Sequence, residues 1–221
     1  MYRSKIRLNA LAFAAITAFT TTATLSKEEP GSYLNLYTGT SNLSSTNLTE
    51  SRPAASTLNG KAKFGSGVGL GGSYGYRYGN GWAAEIQWDY RRHDLKNVAG
   101  TTLDGDFASN TLFLNGYYRF DKIGSIRPFL GAGIGWTQEI DIDITRNGQE
   151  LSYSRSGGAA IQAIAGGEYD ISEKWSLVGD LRWMRVNSGT FKAENAASGG
   201  VLVGKPKYQP VSLNLGLSYK F

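Results

Sequence analysis

The chain has 221 residues, including 13 Tyr, 9 Phe, 5 Trp and 29 Gly, with no Cys and one His. That length fits one domain. The lack of cysteine excludes a disulfide scaffold and a Cys-ligated zinc or iron–sulfur centre. The lack of a continuous apolar run of about 20 residues excludes a helical membrane bundle. The net charge is +5, but Arg3, Lys5 and Arg7 supply three of those charges, so the rest of the chain carries a weak nucleic-acid footprint.

Residues 1–7 are basic, 8–23 are apolar or small, and Thr21 and Ala23 stand at −3 and −1 of a signal-peptidase site. This pattern reads as a cleaved signal peptide over 1–23, with cleavage as late as 26. Residues 27–221 then form the domain.

From residue 32 onward the structured stretches alternate with period two, the mark of strands. Eight are predicted, at 32–41, 62–78, 82–92, 107–120, 126–146, 149–171, 175–186 and 208–221. In 82–90 one face is Trp82, Ala84, Ile86, Trp88 and Tyr90, and the other carries Glu85, Gln87 and Asp89. The charge-free face is even in the first five segments and odd in the last three. All five tryptophans (Trp82, Trp88, Trp136, Trp175, Trp183) lie on it near strand ends, as do Tyr90 and Tyr219. Aromatic rings settle at the two interfaces of a bilayer, so these residues read as a girdle. A soluble barrel would place its apolar face inward; here the charges sit opposite the continuous apolar face. The connections alternate between long (42–61, 93–106, 187–207) and short (79–81, 121–125, 172–174). That asymmetry fits a barrel with short turns on one rim and long loops on the other.

Asn147-Gly148 predicts a type I′ hairpin. It sets Ile144 against Leu151, Ile142 against Tyr153, Trp136 against Ala159, Phe129 against Gly166 and Arg127 against Glu168. The hairpin should project beyond Trp136 as a ribbon. A turn at 79–81 sets Tyr74 against Ile86 and Ser73 against Gln87. The register of 107–120 against 126–136 stays open.

The inward face carries Arg77, Glu85, Asp89, Arg91, Arg119, Arg127, Glu168, Asp170, Asp180, Arg182 and Lys220. Eight strands leave an interior that side chains can fill, so these charges are expected to pair as a closed network; an ion path is the alternative. The G-x-G-x-x-G match at 67–72 lacks a following helix, and the G-x-x-x-x-G-K match at 199–205 is followed by Pro206. Neither is a nucleotide site. Asp104, Asp106, Asp141 and Asp143 lack the ligand count of a calcium loop. His93 lies just above Trp88 and Tyr90, where a lipid-modifying site would be possible, but no hydroxyl follows within four residues. No catalytic residue, metal or cofactor is expected.

The stretches Leu112–Phe120, Arg127–Gly135 and Ala163–Tyr169 resemble the opacity-type outer-membrane β-barrels, similar in architecture to the OmpA transmembrane domain. The terminal Leu217, Tyr219 and Phe221 resemble that family's assembly signal. The resemblance implies an all-β, eight-stranded antiparallel up-and-down transmembrane barrel in a Gram-negative outer membrane. It also implies contact with outer-membrane lipid and lipopolysaccharide, insertion by the barrel-assembly machinery, and a role in envelope integrity, adhesion or host and ligand interaction through the loops. A monomer is expected. The alternatives are a narrow channel for ions or small solutes and, less favoured, a lipid-modifying enzyme.

Overall fold

The computed structural model describes residues 29–51, 59–194, 201–202 and 206–221. The segment expected to be a signal peptide, and parts of 42–61 and 187–207, lie outside the described residues. The strands are β1 (Gly31–Leu43), β2 (Thr46–Ser51), β3 (Asn59–Arg77), β4 (Trp82–Val98), β5 (Thr101–Thr102), β6 (Asp104–Arg119), β7 (Ile126–Arg146), β8 (Gln149–Asp170), β9 (Trp175–Val186), β10 (Lys192–Ala193), β11 (Val201–Leu202) and β12 (Pro210–Lys220). Eight long strands form the ring β1–β3–β4–β6–β7–β8–β9–β12, every neighbour antiparallel. The first and last strands close it, from Tyr33↔Lys220 to Leu43↔Pro210. Closure leaves no unpaired edge between these strands.

The outer face at mid-height carries Leu36, Leu70, Ile86, Leu114, Ile134, Leu181 and Leu215, all exposed. A contiguous apolar surface of this extent marks a membrane surface. Aromatic rings bound it on two levels. Trp82 and Tyr118 (5.2 Å between centroids) and Trp175 and Tyr219 (4.9 Å) form the lower level. Trp88, Tyr90, Trp136 and Trp183 form the upper one. On the inner face, glycines make room for rings: a Cβ at Gly71 would overlap the Tyr37 phenol, and one at Gly75 the Tyr33 phenol.

The turn at 147–148 has φ of 52° and 76°, and the β7–β8 ladder runs as the hairpin predicts, from Arg146↔Gln149 to Arg127↔Glu168. The 79–81 turn likewise gives Tyr74↔Ile86 and Ser73↔Gln87. The open register resolves as Phe113↔Gly135 and Asn115↔Gly133, shifted by a bulge at Asn110/Thr111.

Two expectations are corrected. The predicted loop 93–106 is mostly strand: β4 continues to Val98, β6 starts at Asp104, and Ala99-Gly100 turns between them at φ 52° and 88°. The loops at 42–61 and 187–207 also contain β2, β10 and β11. Second, the charge-free face does not stay outward along β7 and β8. Beyond Trp136, Ile140, Ile142, Ile144, Leu151 and Tyr153 turn inward and are buried. Above the bilayer the outside is water, so apolar side chains gain by facing the lumen. The ribbon is thus part of the barrel wall, with its isoleucines as core.

Candidate functional site

The lumen has two parts stacked along the axis. The lower part, level with the bilayer, is polar. Near the lower rim Glu168 receives Arg119 Nη1 at 2.6 Å, Arg77 Nη2 at 3.1 Å and Lys220 Nζ at 3.5 Å. Lys220 also reaches Asp170 at 2.5 Å, and Lys122 reaches it at 2.7 Å. One layer higher, Glu85 accepts from Tyr33 Oη (3.1 Å), Asn35 Nδ2 (3.0 Å), Asn115 Nδ2 (3.3 Å) and Tyr117 Oη (3.0 Å). Neutral donors therefore hold this carboxylate. Above it Asp89 receives Arg91 Nε at 2.6 Å and Tyr37 Oη at 2.8 Å, with Arg182 Nη1 at 3.6 Å. Arg182 pairs with Asp180 at 2.9 Å and stacks on Tyr37, 4.7 Å from the ring centroid. Gln162 Nε2 closes the layer by donating to Asn115 Oδ1 (2.6 Å) and Gln87 Oε1 (3.1 Å).

These contacts bring ten of the eleven sequence-predicted inward charges into linked groups. Arg127 is the exception. Its backbone lies opposite Glu168, but its guanidinium donates to the Phe120 carbonyl at 3.1 Å. The expected Arg127–Glu168 ion pair is replaced by Arg119, reaching Glu168 from β6 two strands away, and Arg77, reaching it from β3 across the lumen. A cavity of about 50 Å³ remains between Tyr33, Arg77, Glu85, Arg119, Glu168 and Arg182. It has room for a few waters.

The upper part is apolar. Leu95, Phe107, Ile142, Tyr153, Met184 and Val186 pack together inside the strand extensions. The last external segment adds Phe191 and Tyr208, each 1% exposed. Phe107 meets Tyr208 at 4.9 Å and Phe191 at 6.0 Å, both edge-on. The sequence predicts this stretch as a ribbon projecting past the Trp136 belt, with Ile140, Ile142 and Ile144 continuing the outward face; the neighbouring strands extend with it, so the isoleucines face a lumen instead.

His93 sits at the boundary, fully buried. Ser41 Oγ lies 2.9 Å from Nε2 and Tyr208 Oη 3.4 Å from Nδ1. Ser41 is the distant hydroxyl that sequence could not find. It does not make a hydrolytic site: His93 points into the plug, away from the lipid face that carries Tyr90 and Arg92, and among the described residues no carboxylate touches it. Outside the barrel, the pairing of β6 with β7 gathers the carboxylates of Asp106, Asp141 and Asp143 within 4.8 Å. This stands above the bilayer. Partial burial and the charges of Asp143, Asp106, Glu139 and Glu194 push Asp141 up to about 6. Arg92 pairs with Asp106 at 3.1 Å, so one of the three carboxylates already holds a cation.

The girdle residues Trp82, Trp88, Tyr90, Trp136, Trp175 and Trp183 are exposed on the outer wall. Leu217, Tyr219 and Phe221 share one outward face, the last two 5.3 Å apart.

A closed eight-stranded ring with a lipid-facing exterior and a filled interior defines a small outer-membrane β-barrel. The model of the outer membrane protein beta-barrel domain family matches residues 11–221, and the chain belongs to that family. Its place is the Gram-negative outer membrane. It is similar to the uncharacterized outer-membrane protein y4mB of Sinorhizobium fredii, 29% identical over 104 residues, covering 47% of this chain and 44% of that one. It is also similar to outer membrane protein W of Salmonella typhi, 28% identical over 116 residues, covering 48% and 52%. The chain thus spans about half the length of these curated relatives. In fold it is similar to OprG of Pseudomonas aeruginosa (TM-score 0.60, 17% identity, 86% of this chain and 96% of that one). The neisserial surface protein NspA is a second such match (TM-score 0.53, 17% identity, 88% and 100%).

Proposed function

We propose that the protein is a closed, non-catalytic scaffold that supports the envelope and presents its extracellular segments for adhesion or for contact with a host or ligand. The observation that carries this reading is the double closure of the lumen. A hydrated ion would have to displace the Asp89–Arg91–Arg182 layer and then cross an apolar plug, where an unpaired charge is strongly disfavoured. The filled interior leaves the rigid wall and its outer segments as the accessible surface, which is where binding tends to reside. The burial of His93 supports the non-catalytic part.

The reading includes removal of residues 1–23, or as far as 26, as a signal peptide. It includes insertion by the barrel-assembly machinery through Leu217, Tyr219 and Phe221, contact with lipopolysaccharide, and a monomeric state supported by the absence of a free edge in the ring.

The test replaces residues 52–58 with a short Gly-Ser linker, leaving the plug residues intact. Binding of cells and surface glycans to the purified barrel, and detergent sensitivity of the host envelope, are then measured. Loss of binding with an intact barrel supports the scaffold reading. Unchanged binding and envelope properties in this variant and in a deletion strain would contradict it.

A further inference from the structure

We propose that His93 is an acid-sensitive latch on the apolar plug: its neutral imidazole holds Tyr208, and with it residues 206–209, over the lumen, and protonation of the ring releases them.

His93 stands on β4 three residues beyond Tyr90, above the aromatic belt, and is fully buried. Gly67 opposes it on β3 and gives the ring its room, since a Cβ there would stand 2.5 Å from His93 Cδ2. Ser41 Oγ of β1 lies 2.9 Å from Nε2 and 3.0 Å from Ser212 Oγ of β12. Tyr208 Oη lies 3.4 Å from Nδ1 and accepts from Ser109 Oγ of β6 at 2.9 Å. The His93 and Tyr208 rings also meet edge-on at 5.8 Å. A neutral imidazole has one donor and one acceptor nitrogen. With its proton on Nε2 it permits one continuous chain: Ser109 donates to Tyr208, Tyr208 to Nδ1, Nε2 to Ser41, and Ser41 to Ser212.

A second proton on the ring breaks this chain and finds no counter-charge. Nδ1 would then point a donor at the Tyr208 hydroxyl. The groups that face the ring are Ser41 on β1, Ser212 on β12, Gly67 on β3, Phe107 and Ser109 on β6, and Tyr208. On β4 itself Arg91 is the next inward residue below, a like charge already paired with Asp89, and Asp94 faces outward. Burial holds the imidazole down at about 4, with the Arg91 charge adding to it and the Phe107 carbonyl and Asp94 opposing. A charged ring must therefore draw in water. Residues 206–209 are the side of the cage that can yield. Their backbone is tied by Val186 N–H to the Tyr208 carbonyl at 3.0 Å and by Lys207 N–H to Thr46 Oγ1 at 2.8 Å. Pro206 and Pro210 bracket them and have no N–H to give. The other sides are continuous strand ladders. Once residues 206–209 lift, the imidazole is in water and recovers its ordinary value of 6.5. Opening is thus favoured about tenfold for each pH unit between 6.5 and 4, and is level on either side of that window. The Asp89–Arg91–Arg182 layer beneath is untouched, so release uncovers the aromatic plug and leaves the lumen shut.

His93 is the chain's only histidine, so the imidazole nitrogen resonances of the untagged, isotopically labelled chain in detergent micelles report its titration without ambiguity. Hydrogen exchange at the Val186 and Lys207 amides, corrected for the intrinsic effect of pH, reports the opening of residues 206–209. From pH 7 to pH 4 that opening should rise on the order of a hundredfold, with the amides of 129–135 still protected. His93→Gln keeps a donor and an acceptor but cannot take the charge, and should stay closed at pH 4. Asp141→Asn, on the outer face of the ribbon, should respond as the wild type does. An imidazole that titrates near its ordinary value while both amides stay protected would overturn the proposal, and this wild-type result decides the matter even where His93→Gln does not fold. So would protection that is independent of pH, or a response in His93→Gln equal to that of the wild type. Equal loss of protection at 129–135 would mean general acid unfolding and would overturn it too.

Discussion

Gln138 and Gly157 oppose each other across β7 and β8 without pairing: the ladder steps from Thr137↔Gly158 to Glu139↔Ser156. One residue is extruded from each strand, so the register is preserved while both strands reverse their faces. Below this point Trp136 and Ala159 face lipid; above it Ile140, Ile142 and Tyr153 face the lumen. Gly157 takes a φ of 76°, a conformation that side chains other than glycine adopt at a cost, and a Cβ there would stand 2.9 Å from the Trp136 indole. Gly157→Val is expected to destabilise the extracellular ribbon by about 1–3 kcal/mol. Hydrogen exchange should show faster opening at Ile142 and Tyr153, with the amides of 129–135 unchanged. Uniform protection of the ribbon would contradict this.

The inward arginines that pair with carboxylates differ from Arg127, which donates to a backbone carbonyl. Arg91 is buried with Asp89, and its removal leaves that carboxylate with hydrogen bonds from Tyr37 and Gln87 and one cation, Arg182, at 3.6 Å and already paired with Asp180. Arg91→Ala should therefore cost about 3–5 kcal/mol, the range for exposing an uncompensated buried charge. Arg119→Ala should fall at or below the lower end, because Arg77 and Lys220 still hold Glu168. Arg127→Ala should cost about 1 kcal/mol, the value of a single hydrogen bond. Denaturant unfolding in detergent checks this ranking. An Arg127→Ala loss equal to that of Arg91→Ala would refute it.

Most of the ring was legible in the sequence because lipid and lumen impose opposite polarity on alternate residues. The turns at 79–81 and 147–148 carry glycine or Asn-Gly at positive φ, which fixed two hairpin registers. The β6–β7 register was not legible, because its short turn carries no such pair and the bulge at Asn110/Thr111 shifts the alternation. The ion pairs were legible as a set of inward charges but not as partners. Which carboxylate Arg127 or Arg119 reaches depends on side-chain length across the lumen, which register alone does not supply. The apolar plug was missed because period two is silent about height. Phe191 enters it from a segment with no alternation, and Tyr208 from the very start of the predicted eighth strand.

The acidic cluster on the outer ribbon gives stability an inverted dependence on pH. Asp141 is raised to about 6 by partial burial and by neighbouring carboxylates. Its protonated form is favoured by the fold, so its contribution is fully present below about pH 4 and is lost as pH rises through 6. Asp141→Asn should therefore stabilise the ribbon at pH 7 and have no effect at pH 3.5. Hydrogen exchange of residues 139–154 at the two pH values tests this. A stabilisation of equal size at both would contradict it.

The lipid-facing assignment predicts that charge at mid-height is costly. Leu114 and Leu215 are both exposed on the outer wall. Leu114→Arg and Leu215→Arg should each destabilise the barrel by about 2–4 kcal/mol when folded in lipid. Reversible unfolding in lipid vesicles measures this, and wild-type stability in both variants would contradict the assignment.

The central claim is that the lumen is shut by a polar layer and an apolar plug. Planar-bilayer recording on the purified wild-type chain, beside Arg91→Ala and a Phe107→Ala/Phe191→Ala variant that opens the plug, tests it most directly. The closed barrel predicts no steady conductance in the wild type and none in either variant alone, because each barrier suffices. Conductance should appear only when both are combined. Steady, ion-selective conductance in the wild type, altered by Arg91→Ala without loss of stability, would contradict it.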